Sequence, residues 1–173
     1  MVFEDEASLA NAPSVSYSWS ERGKQPRIKQ QQRKRERRTL FGCVEPATGK
    51  VFTHIAERGN TLSFLAFLVK VCKAYPGKKV IMVLDNVAYH HAKRLKPLLE
   101  HYKKRLQLEF LPPYSPDLNP IERVWWWMRK HIAHNRAVET MDQRIDAFNK
   151  LFAPLINGSE GIKTLCKLSV NIY

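Results

Sequence analysis

The chain encodes an α/β fold, a mixed β-sheet flanked by helices. Two β-rich runs, "RTLFGCVEP" and "KVFTHIAE", are joined by the turn "ATG" and read as a hairpin. "VIMVL" is a short unbroken apolar run, as expected of a central strand covered on both faces. Beyond it, helical and strand patterns alternate, which calls for helices packed on the sheet.

Each element has its own signal. "VFEDE", within residues 1–6, is a short acidic strand that starts almost at the first residue. Residues 10–38 are polar, and between Arg22 and Arg38 lie nine Lys or Arg against one acid, Glu36. Such a run is either a solvated surface loop or a phosphate-binding arm. After the hairpin, "NTLSFLAFLVKVCKAY" places Leu62, Phe64, Leu65, Leu68 and Cys72 at helical spacing. Asn60 or Thr61 caps this helix and "PGKK" stops it. "HHAKRLKPLLEHY" is helical, with a kink expected at Pro97, and "LQLEFL" is a strand. A helix is expected from about 120 to 133. Thr140 and Gln143 form a capping-box pattern for another, reaching about Leu155. Asn157 and Gly158 end it, and a last short helix follows Ser159.

The totals narrow the function. A length of 173 residues suits one domain. At 44 % apolar and 26 % charged, the chain can bury a core. It carries 29 Lys and Arg against 16 Asp and Glu, a net charge of +13. That excess selects a polyanionic partner, either nucleic acid or an anionic membrane surface. No apolar run approaches the roughly 20 residues that span a bilayer. The acidic start "MVFEDEASLA" is unlike a signal peptide. Cys43, Cys72 and Cys166 form no CxxC pair, so they read as packing residues in a reduced, intracellular setting.

Three acids are candidates for chemistry. Asp85 follows "VIMVL", at the strand end where α/β sheets gather ligands. It fits a turn or helix-cap carboxylate, and it also fits a cation ligand. Alternation puts Asp5 on the opposite face from Glu4 and Glu6. Their strand is either an exposed edge whose charges discourage aggregation or a central strand with an acid facing inward. For Glu122, Asn119 is a good N-cap, Pro120 suits the first helical position and Glu122 falls at N3. That accounts for Glu122 as a capping residue, yet the prolines of "LPPYSP" also fix the loop well enough to aim a carboxylate. Hard divalent cations take oxygen ligands. Two such ions about 3.5–4 Å apart can cleave a phosphodiester.

The segments "FEDEASL", "VLDNVAYHHA" and "LPPYSPDLNPIERVWWWMRK" resemble the three acid-bearing motifs of the mariner-type superfamily of DDE transposases, especially its bacterial insertion-sequence branch. Order and spacing agree, with 36 residues between Asp85 and Glu122. "YSWSERGKQP" and "RRTLFGCVEPATGKV" resemble the family's intervening segment, so the likeness covers roughly residues 3–150. The resemblance implies a ribonuclease-H-like fold with Asp5, Asp85 and Glu122 as the metal-binding triad. It implies two Mg2+ or Mn2+ ions and no small-molecule cofactor. It implies cleavage of DNA at transposon ends and transfer of the freed 3′ hydroxyl to target DNA. It further implies a homodimer, no membrane association, and a bacterial cytoplasmic, nucleoid-associated location. Residues 1–173 are then one catalytic domain, with a core over about 1–135 and C-terminal helices over about 136–173. The family's usual N-terminal helix-turn-helix region is expected to be absent. That leaves two alternatives, an inactive DNA-binding remnant and another ribonuclease-H-like nuclease.

Helical spacing puts Ile121, Trp125, Met128 and Ile132 on one core stripe. Glu122, Trp126, Arg129 and Lys130 share a neighbouring face, where Trp126 either packs or stacks on a base. Arg123, Arg129 and Lys130, with Arg33, Lys34, Arg35, Arg37 and Arg38 of the basic run, are candidate phosphate contacts. Asn86 binds a metal water or caps the next helix, and Asn119 supports Glu122. His90 and His91 read as surface or capping residues, because hard cations prefer oxygen. His131, His134 and Arg136 read as solvated.

Overall fold

A computed structural model describes residues 1–24, 26–28, 35–113 and 115–167. Arg33 and Lys34 of the basic run lie outside the described residues. Among the described residues there are five strands: β1 (Val2–Ala10), β2 (Arg37–Glu45), β3 (Lys50–Ala56), β4 (Val80–Leu84) and β5 (Leu106–Phe110). Five α-helices accompany them: α1 (Thr61–Ala74), α2 (Lys96–His101), α3 (Ile121–Met128), α4 (Met141–Phe152) and α5 (Glu160–Leu165). The strands form one mixed sheet in the order β3-β2-β1-β4-β5. β1 pairs antiparallel with β2 and parallel with β4.

β1 is therefore central, which removes the edge-strand reading of Asp5. It is also four residues longer than expected, because Ala7 and Leu9 continue the inward alternation and are buried. The two faces of β1 feed two apolar clusters. Ala7 and Leu9 pack with Ile121, Val124 and Trp125 of α3. Val2 packs on the other side with Phe64, Phe67, Leu68 and Val71 of α1. The predicted stripe Ile121, Trp125, Met128 and Ile132 is buried, and the helix turns on through a π segment, Arg129–Ala133.

Asn60 caps α1, accepting the N–H groups of Leu62 and Ser63 at 2.9 and 3.0 Å. Leu62 is exposed, so the buried stripe runs through Phe64, Phe67, Leu68, Val71 and Cys72 instead. Pro97 does not kink a long helix. It sits in the first turn of α2, where its missing N–H costs nothing, and short 3-10 turns precede it. Thr140 caps α4 through the Gln143 N–H, while the Gln143 side chain accepts from Glu139 N–H rather than from Thr140. Phe148 and Phe152 of α4 and Ile162 of α5 enter the same cluster as α3. The C-terminal helices thus close one face of the sheet. The three cysteines are free and buried. Among the described residues no helix is long and apolar enough to cross a membrane.

Arg144 ties α4 to the far end of β1. It is buried, and it donates to the carbonyls of Ala10 (3.0 Å) and Arg136 (2.7 Å). Arg144→Met keeps the apolar stem but strands both carbonyls. Unfolding by urea should show a loss of about 2–3 kcal/mol, and an unchanged midpoint would mean that these bonds contribute nothing net.

Candidate active site

Three elements bring acids to one cleft. β1 and β4 run in parallel with Phe3 opposite Val83, and two residues further along stand Asp5 and Asp85. Asp85 directly follows Leu84, the last residue of β4. Glu122 lies in the first turn of α3. All three line a cleft of ≈ 390 Å3 whose opposite wall is the proline-rich loop, Leu111, Pro112, Pro113 and Pro116. The sheet order makes this convergence possible, because β1 and β4 are neighbours although their acids are far apart in sequence.

The electrostatics are those of like charges held together. Burial pushes the Asp5 carboxyl up to about 8, helped by the charges of Glu122, Glu6 and Asp85. Asp85 is raised by burial and by Glu6, against the opposing pull of His90 and the Val87 N–H. Its Oδ1 is buried with no hydrogen-bond partner. Carboxylate oxygens of Asp5, Glu6 and Asp85 lie within 4.8 Å of one another. Such a group is costly unless it shares protons or a cation. Its donors are all hard oxygens, which fit Mg2+ or Mn2+. Glu122 stands outside that tight group, on the wall of the same cleft, close enough to raise Asp5.

The capping account of Glu122 fails. Pro120 occupies the cap position and no side chain caps α3. Only the backbone carbonyl of Asn119 serves the helix, accepting the Glu122 N–H at 3.1 Å. The Asn119 side chain instead donates to the carbonyl of Glu4 at 2.8 Å, in the core. It pins the start of α3 to β1 beside Asp5 rather than capping the helix. Asn86 does not cap either. Its side chain pairs with His91, and Val87 leads the turn at 88–91 without a side-chain bond.

Two residues passed over in the sequence belong to the site. His90, read as a surface or capping residue, is 2 % exposed. Its Nε2 lies 3.1 Å from Glu6 Oε1, and its Nδ1 lies 3.2 Å from the Asp85 carbonyl and 3.3 Å from Asp85 Oδ1. Glu6 also accepts the Tyr89 hydroxyl. Nothing local separates His90 from His91, which is exposed and stacked on Phe110. The 3-10 turn at Ala88–His91 points one inward and the other out.

Among the described residues, none of the basic candidates lines the cleft itself; Arg123 and Trp126 share a neighbouring hollow with Glu122, and Arg35 and Arg37 lie at the far end of β1. Trp126 is 48 % exposed, with Lys130 Nζ 3.6 Å from its ring centre. Arg129 is half-buried. The Arg123 guanidinium donates to the carbonyls of Leu165 and Lys167, so it fastens the C-terminal segment to α3. Arg35 and Arg37 are exposed, and Arg38 lies 3.7 Å from Glu36. His134 is not free in solvent, because its Nδ1 bonds the Ser14 hydroxyl at 2.8 Å. That contact ties the root of the basic loop to the end of α3.

Known proteins resemble this chain across the same parts. A family profile described as "DDE superfamily endonuclease" matches residues 1–145. The "Insertion element IS630 uncharacterized 39 kDa protein" of Shigella sonnei is 26% identical over 164 residues, covering 92% of this chain and 47% of that protein. "Uncharacterized protein y4pE/y4sA" of Sinorhizobium fredii is 31% identical over 117 residues, 65% of this chain and 83% of that protein. The Mos1 mariner paired-end complex with Mn superposes with a TM-score of 0.70 at 18% identity, covering 95% of this chain and 51% of that one. The isolated catalytic domain of Mos1 mariner transposase gives 0.59 at 15% identity, covering 95% and 76%. The chain therefore spans about half the length of the IS630 protein and of the longer Mos1 chain. At these identities the structural likeness establishes the fold, a ribonuclease-H-like sheet with helices. With a profile match over most of its length, the chain belongs to the DDE superfamily endonuclease family.

Proposed function

We propose that this chain is the catalytic domain of a DNA transposase, which cuts DNA strands at transposon ends and joins the freed 3′ hydroxyl to a target. The observation that carries this reading is the meeting of Asp5, Asp85 and Glu122 on one cleft, with no hydrogen bond to the buried Asp85 Oδ1. These three acids, assisted by Glu6, would hold two Mg2+ or Mn2+ ions. Bound there, the ions would supply Lewis acidity to the attacking and leaving oxygens of a phosphodiester. The protein's own part is positional. β1 carries Asp5 and the end of β4 presents Asp85, while Asn119 would fix the third carboxylate by pinning the start of α3. The proline-rich loop forms part of the cleft lining. The exposed Arg35, Arg37 and Lys130 and the half-buried Arg129 would grip phosphates, as would Arg33 and Lys34, which lie outside the described residues. Arg38 and Arg123 would assist, and Trp126 would offer a stacking surface for a base. Residues 1–173 then act as one catalytic unit on nucleoid DNA in the bacterial cytoplasm, and as a homodimer when two ends are paired.

The test is a substrate panel for the purified chain in Mg2+ and Mn2+. Supercoiled DNA and transposon-end duplexes should be nicked, while RNA–DNA hybrids and four-way junctions should show no preference. Absence of nicking on every DNA in Mn2+ would reject the proposal, and preferred cutting of hybrids would redirect it.

The same site predicts a pH effect on stability. Asp5 is raised to about 8 in the folded chain and titrates near 3.9 when unfolded. Between those values the folded state holds a proton that the unfolded chain has released, so stability falls as pH rises through that window. After discounting for solvent in the open cleft, the loss is about 2 kcal/mol, or roughly 4–8 °C in melting temperature between pH 5 and 8. Saturating Mg2+ should recover most of it at pH 8 and little at pH 5. A melting temperature at pH 8 that ignores Mg2+ and Mn2+ would count against a cation site.

A further inference from the structure

A second group of donors lies on the face of β1 opposite Asp5. Glu4 is 0 % exposed, and neither of its carboxylate oxygens has a hydrogen-bond partner. Its Oε2 stands 3.9 Å from His90 Nε2, beyond hydrogen-bonding reach. Glu6 Oε1 stands 3.1 Å from the same nitrogen. One donor atom from each of Glu4, Glu6 and His90 lies within 4.8 Å of the other two.

We propose that Glu4, Glu6 and His90 bind a structural divalent transition cation of the zinc or manganese class, distinct from any ion in the cleft. His90 Nδ1 has the Asp85 carbonyl as its acceptor at 3.2 Å, so that nitrogen carries the proton. Nε2 then aims its lone pair at two carboxylates, or carries a second proton. A proton on Nε2 pairs with Glu6 and leaves both oxygens of Glu4 bare. A single divalent cation satisfies all three donors at once. Ligands about 2.0–2.2 Å from such an ion stand a little closer together than these atoms do, so side-chain adjustment completes the shell. A metal-bound histidine characteristically donates its other N–H to a carboxylate or a backbone carbonyl, as His90 does to Asp85. The imidazole selects first-row transition ions over Mg2+, whereas the cleft offers oxygen alone. The ion would hold His90, and through it Asp85, in place.

Glu6 belongs to both groups, so its replacement cannot separate them, but Glu4 and His90 can. The chain is dialysed against Mg2+ and its zinc is measured, before and after incubation with Zn2+ in excess Mg2+, which keeps the cleft supplied with its own ion. About one transition ion per chain is expected, falling about tenfold or more in Glu4→Gln and His90→Gln and kept in Glu122→Gln. The Co2+-loaded wild-type chain should show visible absorption of a nitrogen-and-oxygen site, which decides the matter even if the variants fold poorly. No saturable uptake of Zn2+, Mn2+ or Co2+ by the wild-type chain overturns the proposal. So does an ion that persists in Glu4→Gln and departs in Glu122→Gln. Metal analysis is independent of nicking, so failure of the transposase reading would leave this result standing.

Discussion

Asp85→Asn should lower Mg2+- or Mn2+-dependent nicking by about a thousandfold or more, while leaving salt-sensitive DNA binding close to that of the unaltered chain. The substitution keeps the shape of the side chain and removes its charge. Cation-assisted stabilisation of a phosphodiester transition state is worth several kcal/mol, and each 1.36 kcal/mol is about tenfold in rate. Asp5→Asn and Glu122→Gln should fall alike, and a double variant should be little worse than either single one, because ligands of one site act as a unit. Glu122→Gln is the most informative of these, because Glu122 stands outside the tight group formed by Asp5, Glu6 and Asp85. On the proposed reading DNA binding would rest on exposed cations elsewhere, and it should weaken steeply with salt in every variant. Stability gives an internal control. Asp85 Oδ1 is buried without a hydrogen bond, so Asp85→Asn should melt no lower than the parent in the absence of divalent ions, and possession of the charge is then a cost borne for function. Cleavage that persists undiminished in Asp85→Asn would remove this cleft from the chemistry.

Much of this arrangement was legible from local signals. "VIMVL" has the composition of a doubly covered strand and became β4, with Asp85 directly after its last residue. The hairpin was set by its turn, and the helix stripe Ile121, Trp125, Met128 and Ile132 by its period. What stayed hidden depended on contacts across the chain. Asn119 has the right residue type and place for an N-cap, but a buried carbonyl 115 residues away, that of Glu4, claimed its amide. Tertiary satisfaction of a core acceptor outweighed the local option. His90 and His91 are identical in composition, and only the handedness of a 3-10 turn sends His90 to Glu6 and Asp85. Arg123 reads as a surface cation until the C-terminal segment returns beside α3 and takes its donors. Pro97 reads as a kink because the preceding residues look helical, yet they form 3-10 turns and the proline opens a new helix.

The deepest of these long-range dependencies is one glycine, and it gives the largest expected effect on stability. Gly42 in β2 is the cross-strand partner of Asp5. A Cβ built there would stand 2.4 Å from Cη2 and 2.6 Å from Cζ2 of Trp125. The indole of a fully buried tryptophan thus occupies the space of the missing side chain, and α3 can settle close to β1 and β2. Glu122 precedes Trp125 by three residues, about one turn, so the same approach sets Glu122 beside Asp5. Trp125→Ala should cost about 3–5 kcal/mol by opening a cavity in the core. Gly42→Ala should cost about 1–3 kcal/mol by overpacking, and it should also depress nicking, because the clash is relieved by moving α3 and Glu122 outward. Trp126→Ala, one position along but half-exposed, should leave stability almost unchanged and weaken DNA binding instead. The decisive measurement is a double-mutant cycle. Trp125→Phe in the Gly42→Ala chain removes the ring atoms that the added methyl would strike, so the two substitutions together should cost less than their sum by about 1 kcal/mol or more. Nicking should recover in step with stability. Strict additivity in the cycle would mean that the contact between residue 42 and the indole does not govern the seat of α3, and that Glu122 is aimed by something else.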